Sequence, residues 1–118
     1  MKRILIIDDD EPLADLSARY LIGRGYRAAA FYDGLAGLAA FIDDPDSYAL
    51  IFTDIAMPGL SGVEVMMRAR EVRPTVPVIL ISGFPIDRSV PFFADASGTL
   101  TKPINLAEMG RMVDGILC

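Results

Sequence analysis

Ile4-Leu5-Ile6-Ile7-Asp8-Asp9-Asp10 decides the fold of this chain. Four branched apolar residues in a row, with no polar alternation, are the pattern of a short strand buried on both faces. Three carboxylates follow at once, so the strand ends in charge. The same pattern returns three times. Ala49–Thr53 runs into Asp54, Pro77–Ile81 into Ser82, and the short Leu100-Thr101 core into Lys102. Arg27–Tyr32 reads as a further strand, second in the chain. It ends in Phe31-Tyr32 and a lone Asp33 before Gly34, where a helix cap is the expected role.

Helical patterns lie between these runs. Pro12 suits a first turn, Leu13, Leu16 and Tyr20 follow at helical spacing, and Gly23 and Gly25 stop the helix. Leu35, Leu38 and Ile42 mark a second helix, ended by Asp43-Asp44-Pro45. After a Pro/Gly loop at Met57–Gly62, Ser61 and Glu64 form a capping box. It opens a helix with Val63, Met66 and Met67 that stops near Arg73-Pro74. Asn105 and Glu108 cap a last helix carrying Leu106, Met109, Val113 and Ile116. Pro85, Pro91 and Gly98 crowd the segment Phe84–Gly98, so a fourth helix there is expected to be short or irregular. Alternation of this kind implies an α/β fold, a parallel sheet with helices on both faces.

Composition narrows the function. The 118 residues suit one domain, with 53% hydrophobic and 23% charged residues. Eleven basic residues against sixteen acidic ones give a net charge of −5, which argues against direct nucleic-acid binding. There is no His, so zinc–His sites and His-based triads are excluded on this chain. The one Cys, Cys118, allows no internal disulfide, which fits a reducing, cytoplasmic setting. The apolar run Ile4–Ile7 is too short for a signal peptide or a membrane span.

In open parallel sheets, ligands bind at the carboxyl ends of the strands. Four of the five strands deliver a polar group to that edge: the Asp8 group, Asp54, Ser82 and Lys102. Two carboxylates about 4 Å apart repel by roughly 4 kcal/mol at an effective dielectric near 20. A cluster of them calls for a cation, and Mg²⁺ suits oxygen-only ligands while leaving waters for a phosphate to displace. Lys102 adds a fixed positive charge and Ser82 a hydroxyl donor. Carboxylate, metal, lysine and hydroxyl together make a phosphoryl-transfer site. Asp10 is set apart as exposed or a helix cap. Read alone, Asp8, Asp9 and Asp10 are equally a solvated acidic turn, Ser82 an ordinary turn serine and Lys102 a surface lysine; the four strand ends together favour the site.

ILIIDDDEP, LIFTDIAMPGLSG, VPVILISG and LTKPI, in this order, resemble the receiver domain of two-component response regulators across essentially the whole chain. The resemblance implies a flavodoxin-like five-stranded sheet in strand order 2-1-3-4-5, with residues 1–118 as a single receiver domain. It implies Asp54 as phosphoacceptor. Asp9 would bind Mg²⁺ directly and Asp8 mostly through water, with Asp54 and the Ala56 carbonyl as further ligands. Lys102, Ser82 and Gly83 would hold the phosphoryl group, with a cis peptide between Lys102 and Pro103. It also implies a partner, a sensor histidine kinase or phosphotransfer protein that donates from phosphohistidine, and at most slow self-hydrolysis rather than enzyme turnover. Two features depart from the pattern. Thr99 stands where receivers usually carry an aromatic residue, three positions before the lysine, and the Ser82–Lys102 interval is short. Both resemble the atypical receivers that accompany some unusual sensor kinases.

Other readings stay open at this point. Asp8-Asp9-Asp10 also fits the DxD spacing of haloacid-dehalogenase-type phosphatases, although Asp54 then has no role. A receiver-like interaction module that is never phosphorylated is the third reading. Met66 and Met67 are expected in the core. Phe84, Phe92 and Phe93 either fill space left by a short fourth helix or form an exposed apolar patch. Cys118 is expected to be a mobile terminal residue. The last helix runs to the terminus, so 118 residues taken as full length imply a stand-alone receiver that acts by protein contact or as a phosphate relay or sink; taken as part of a longer chain, they leave the output open, DNA binding included.

Overall fold

Inside the sheet Ile7 pairs with Phe31 on one neighbouring strand and Thr53 on the other. The computed structural model describes residues 2–118. Its strands are β1 (Arg3–Ile7), β2 (Arg27–Phe31), β3 (Tyr48–Asp54), β4 (Val78–Ser82) and β5 (Gly98–Thr101). They form one parallel sheet in the order β2-β1-β3-β4-β5. The helices are α1 (Glu11–Gly23), α2 (Gly34–Asp43), α3 (Gly62–Val72), α4 (Pro91–Asp95) and α5 (Leu106–Leu117). This is the fold and strand order expected from the sequence, with α4 reduced to five residues.

Alternating side chains of each inner strand feed two cores. Leu5, Ile7, Ile51, Val78 and Leu80 meet Leu38 and Phe41 of α2 and Val65 and Met66 of α3. Ile4, Ile6, Leu50, Phe52, Ile79 and Ile81 meet Ala14 and Leu21 of α1 and Met109 and Val113 of α5. Both faces of β1, β3 and β4 are therefore apolar, as their unbroken runs require. β2 is an edge strand and is only half-buried.

Several helices turn a different stripe to the sheet than their large residues suggest. α2 buries Gly34, Gly37, Leu38 and Phe41, and leaves Leu35 and Ile42 exposed. Gly37 makes the close approach: a Cβ there would lie 2.4 Å from Ile7 Cδ1, so a larger residue would require the Ile7 side chain to shift. α1 likewise buries Ala14, Ser17, Ala18 and Leu21, while Leu16 stays exposed. Met66 is buried as expected. Met67 is not a core residue, because the next position on α3 points it outward and leaves it 60% exposed. The three phenylalanines divide. Phe93 is buried and Phe92 packs on the core, filling space beside the short α4, while Phe84 is 71% exposed. A 3-10 turn at Pro45–Ser47, not expected from the sequence, is held by the Arg73 guanidinium, which donates to the carbonyls of Pro45 and Tyr48. Cys118 is exposed, with its Sγ 3.6 Å from the Tyr26 hydroxyl.

Candidate functional site

The carboxyl ends of β1, β3, β4 and β5 converge on one crevice. β1 presents Asp8, which is buried. Its Oδ1 accepts from the Asp10 N–H at 3.0 Å. Asp10 is itself the cap of α1, its Oδ1 accepting from the Leu13 N–H at 3.1 Å. Capping turns the chain away from the crevice immediately after Asp9, so Asp10 is committed to the helix, as the sequence suggested. Asp33 caps α2 in the same way through the Ala36 N–H.

β3 presents Asp54, also buried. The chain leaves the strand under close control. The Ile55 N–H donates to the Ile81 carbonyl at 2.9 Å, and the Gly62 N–H donates to the Ile55 carbonyl at 3.0 Å. The Ala56 N–H donates to Asp54 Oδ1 at 3.3 Å. Gly59 turns the loop with φ of 77°, a conformation suited to glycine. Gly62 then brings the start of α3 against the strand end. A Cβ at Gly62 would lie 2.1 Å from the Asp54 carbonyl oxygen, so no larger residue fits beside that backbone.

Lys102, just after β5, closes the crevice. Its Nζ donates to Asp54 Oδ2 at 2.8 Å and lies 3.3 Å from Asp8 Oδ2. The Lys102 N–H donates to the Ser82 carbonyl at 2.8 Å, which ties the lysine to the end of β4. The Lys102–Pro103 peptide is cis. Burial alone pulls the ammonium pKa down, but Asp54 and Asp8 together more than offset this and hold it above the ordinary lysine value. For Asp8, burial dominates and raises the carboxyl pKa. The Asp10 N–H opposes the rise, Asp54 adds to it, and Lys102 opposes it.

One ammonium does not satisfy three carboxylates. Asp8, Asp9 and Asp54 can each place an oxygen within 4.8 Å of the others. Asp8 Oδ2 is buried and has no hydrogen-bond partner, since Lys102 is near enough for attraction but is aligned on Asp54. A buried, unpaired carboxylate oxygen facing two more carboxylates fits a hard divalent cation.

Ser82 is brought to the same edge but not into the cluster. Its hydroxyl donates to the Phe84 carbonyl at 2.8 Å and accepts from the Phe84 N–H at 3.0 Å. Gly83 is exposed, with open space where a Cβ would lie. Thr99 is half-buried on β5 opposite Leu80. Sequence reasoning missed two supporting residues. Gly62 was visible only as part of a Pro/Gly loop, and Met57, buried beneath that loop, carried no separate signal.

Comparison with known proteins agrees with this geometry. The family model for the response regulator receiver domain matches residues 4–114. The chain belongs to this family. The transcriptional regulatory protein RprY of Bacteroides fragilis is 31% identical over 117 residues, covering 98% of this chain and 49% of RprY. The response regulator receiver protein CpdR of Brucella abortus is 30% identical over 122 residues, covering 99% of this chain and 98% of CpdR. The receiver thus spans about half the length of RprY and nearly all of CpdR. Among solved structures, the response regulator TrrA of Thermotoga maritima, in complex with Mg²⁺-BeF, aligns with a TM-score of 0.89 at 31% identity. That match covers 99% of this chain and 100% of TrrA. TrrA with the histidine kinase ThkA aligns at 0.88 with 30% identity, covering 100% of both chains.

The family is that of the receiver domains of two-component response regulators. The phosphatase reading falls away with the family match, and the capping role of Asp10 removes the second aspartate of its DxD motif. No helix among the described residues is long and apolar enough to cross a membrane.

Proposed function

We propose that Asp54 accepts a phosphoryl group from a phosphohistidine on a sensor kinase or phosphotransfer protein, and that the modified domain then changes its protein contacts. The observation that carries this reading is the Asp54 carboxylate itself: buried at a strand end, held by Lys102 at 2.8 Å, and crowded by Asp8 and Asp9. An Asp54 oxygen attacks phosphorus and forms the new P–O bond. The P–N bond to the imidazole breaks, and that nitrogen leaves with the electron pair. Lys102 transfers its attraction from Asp54 Oδ2 to a phosphoryl oxygen, so positive charge stays beside the developing negative charge.

Asp8, Asp9, Asp54 and the Ala56 carbonyl would hold Mg²⁺. When bound, the ion neutralises phosphoryl charge and offsets the repulsion among the carboxylates. Gly83 and Ser82 line the phosphoryl side, and Thr99 leaves the usual aromatic position small. In this reading residues 1–118 act as one cytoplasmic receiver domain. It takes up and slowly hydrolyses its own phosphoryl group rather than turning over a substrate. It touches neither nucleic acid nor membrane directly.

Intact mass after incubation with phosphoramidate and Mg²⁺ tests this. The expected result is a gain of one phosphoryl group, absent without Mg²⁺ and absent in Asp54→Asn. Equal labelling of Asp54→Asn overturns the assignment. No labelling by phosphoramidate or by any phosphohistidine donor favours the non-phosphorylated interaction module.

A further inference from the structure

We propose that the groove between α3 and α4 receives a lysine or arginine side chain from a basic segment of a partner protein. The proposal goes beyond the reading of Asp54 and does not depend on it, because the groove shares no residue with the strand-end crevice.

The groove lies beside the shortened helix. α3 has eleven residues, whereas α4 ends at Asp95 after five. Between them a cavity of about 420 Å³ is lined by Met66, Met67, Arg70, Glu71 and Asp95. Met66 and Met67 are adjacent on α3, so one forms a buried floor and the other a wall that is 60% exposed. Glu71 follows Met67 by one helical turn and stands on the same side of the helix.

Three charged residues line the groove, and Arg70 is already engaged. Each nitrogen of its guanidinium donates inside the chain: Nε to the Val76 carbonyl, Nη1 to the Asp95 carbonyl and Nη2 to the Ser97 hydroxyl. The Asp95 main chain is thereby held against α3. Glu71 and Asp95 are exposed, and among the described residues neither carboxylate is in an ion pair. A methionine floor with two unpaired carboxylates at its rim matches an amphipathic cation. The aliphatic stem of a lysine or arginine lies on the adaptable methionines, and its charged head meets Glu71 and Asp95. An acidic residue is repelled there, and a wholly apolar one leaves both carboxylates without a counter-charge. A second copy of this chain is a poor occupant, since each copy carries a net charge of −5. The volume is at the lower end of the roughly 300–1,000 Å³ of ligand pockets, room for one long side chain and the backbone that carries it.

A fluorescein-labelled helical peptide of leucine and lysine is the probe, and its counterpart with glutamate in place of lysine is the control. Anisotropy gives the Kd, and the ε-methyl NMR signals of the methionines report where the peptide sits. Both are measured without a phosphoryl donor. We expect the lysine peptide to bind and to shift Met66 and Met67, leaving Met109 and Met112 of the opposite core in place. Its Kd should rise about tenfold in Glu71→Gln/Asp95→Asn, as two exposed charge pairs are lost. Both substituted side chains are exposed, so the double variant should keep the parent's urea midpoint. The glutamate peptide should not bind. An unchanged Kd in the double variant, or shifts of Met109 and Met112 equal to those of Met66 and Met67, means attraction to the acidic surface at large and overturns the groove. Equal binding of the glutamate peptide, or no binding of the lysine peptide at about 1 mM, overturns it as well. A Met67 signal that moves with protein concentration alone places a second copy in the groove and overturns the basic partner.

Discussion

Lys102 Nζ stands 2.8 Å from Asp54 Oδ2, joining the ends of two strands that are not neighbours in the sheet. β4 lies between them, and Ser82 at its end binds the Lys102 N–H. The lysine is thus aimed by main-chain contacts and only then by charge. Its folded pKa is raised, so its contribution to stability is complete below the ordinary value of 10.5 and is lost as pH rises through the higher folded value. Lys102→Ala leaves Asp8 and Asp54 buried without a counter-charge. Allowing for its partial exposure, the expected loss without Mg²⁺ is roughly 1–3 kcal/mol. Urea unfolding at pH 7 measures it, and Mg²⁺ should restore part of the loss. Phosphoryl uptake on Asp54 should fall sharply whether or not stability recovers.

Asp8 titrates in the same sense but in the carboxylate range. Burial raises its carboxyl pKa above 3.8, so the folded state binds a proton more readily than the unfolded state. Between the unfolded and folded pKa values, stability from this group rises as pH falls. At pH 7 in EDTA, Asp8→Asn should therefore be as stable as the parent or more so, and its stability should lack this pH-dependent part. With Mg²⁺ the order reverses. A cation at about 100 times its Kd stabilises the parent by about 2.7 kcal/mol, and Asp8→Asn should lose most of that. Urea midpoints from pH 4.5 to pH 7, with and without Mg²⁺, decide it. A parent that Mg²⁺ does not stabilise would count against the cation site.

The strand ends were legible because each combined an unbroken apolar run with one abrupt polar residue: Ile7 then Asp8, Thr53 then Asp54, Ile81 then Ser82, Thr101 then Lys102. Hydropathy carries that information directly. It does not carry which stripe of a helix is buried when glycine makes the contact. α2 sets Leu38 and Phe41 inward but leaves Leu35 and Ile42 in solvent, with Gly37 making the close approach to Ile7. The Ser82 hydroxyl was legible as a group at the crevice, but its partner is the main chain of Phe84, and no side-chain pattern encodes that bond. Gly62 was hidden for the same reason, since what it approaches is the backbone of Asp54.

Gly62 and Gly83 make a controlled pair. A Cβ at residue 62 meets the Asp54 carbonyl oxygen at 2.1 Å and its carbon at 2.8 Å, both main-chain atoms that cannot swing aside. Gly62→Ala should cost roughly 1–3 kcal/mol as α3 is pushed off the strand end. It should also reduce phosphoryl uptake in protein that remains folded, because the displaced group is the backbone of Asp54, the proposed phosphoacceptor. At residue 83 a Cβ meets nothing within 4 Å. Gly83→Ala should leave the urea midpoint within about 0.5 kcal/mol of the parent. Measuring both variants separates backbone crowding from the general effect of replacing a loop glycine.

Arg70 holds the short α4 in place from α3. Its guanidinium donates to the Asp95 carbonyl at 2.6 Å, the Val76 carbonyl at 3.3 Å and the Ser97 hydroxyl at 3.3 Å. Ser97 Oγ in turn accepts from the Val78 N–H at 3.0 Å, at the start of β4. One side chain thus ties the exit of α4 to the edges of β4 and β5, where a five-residue helix has little packing of its own. Arg70→Ala should lower stability by about 1–2 kcal/mol, discounted for the partial exposure of the group. Hydrogen exchange should quicken across residues 91–98 and stay unchanged in β1 and β3. Arg70→Lys should not rescue it, because a single ammonium cannot reproduce three donors spread across a planar fork. If exchange in β1 and β3 rises equally, Arg70 supports the whole domain rather than the local hold on α4.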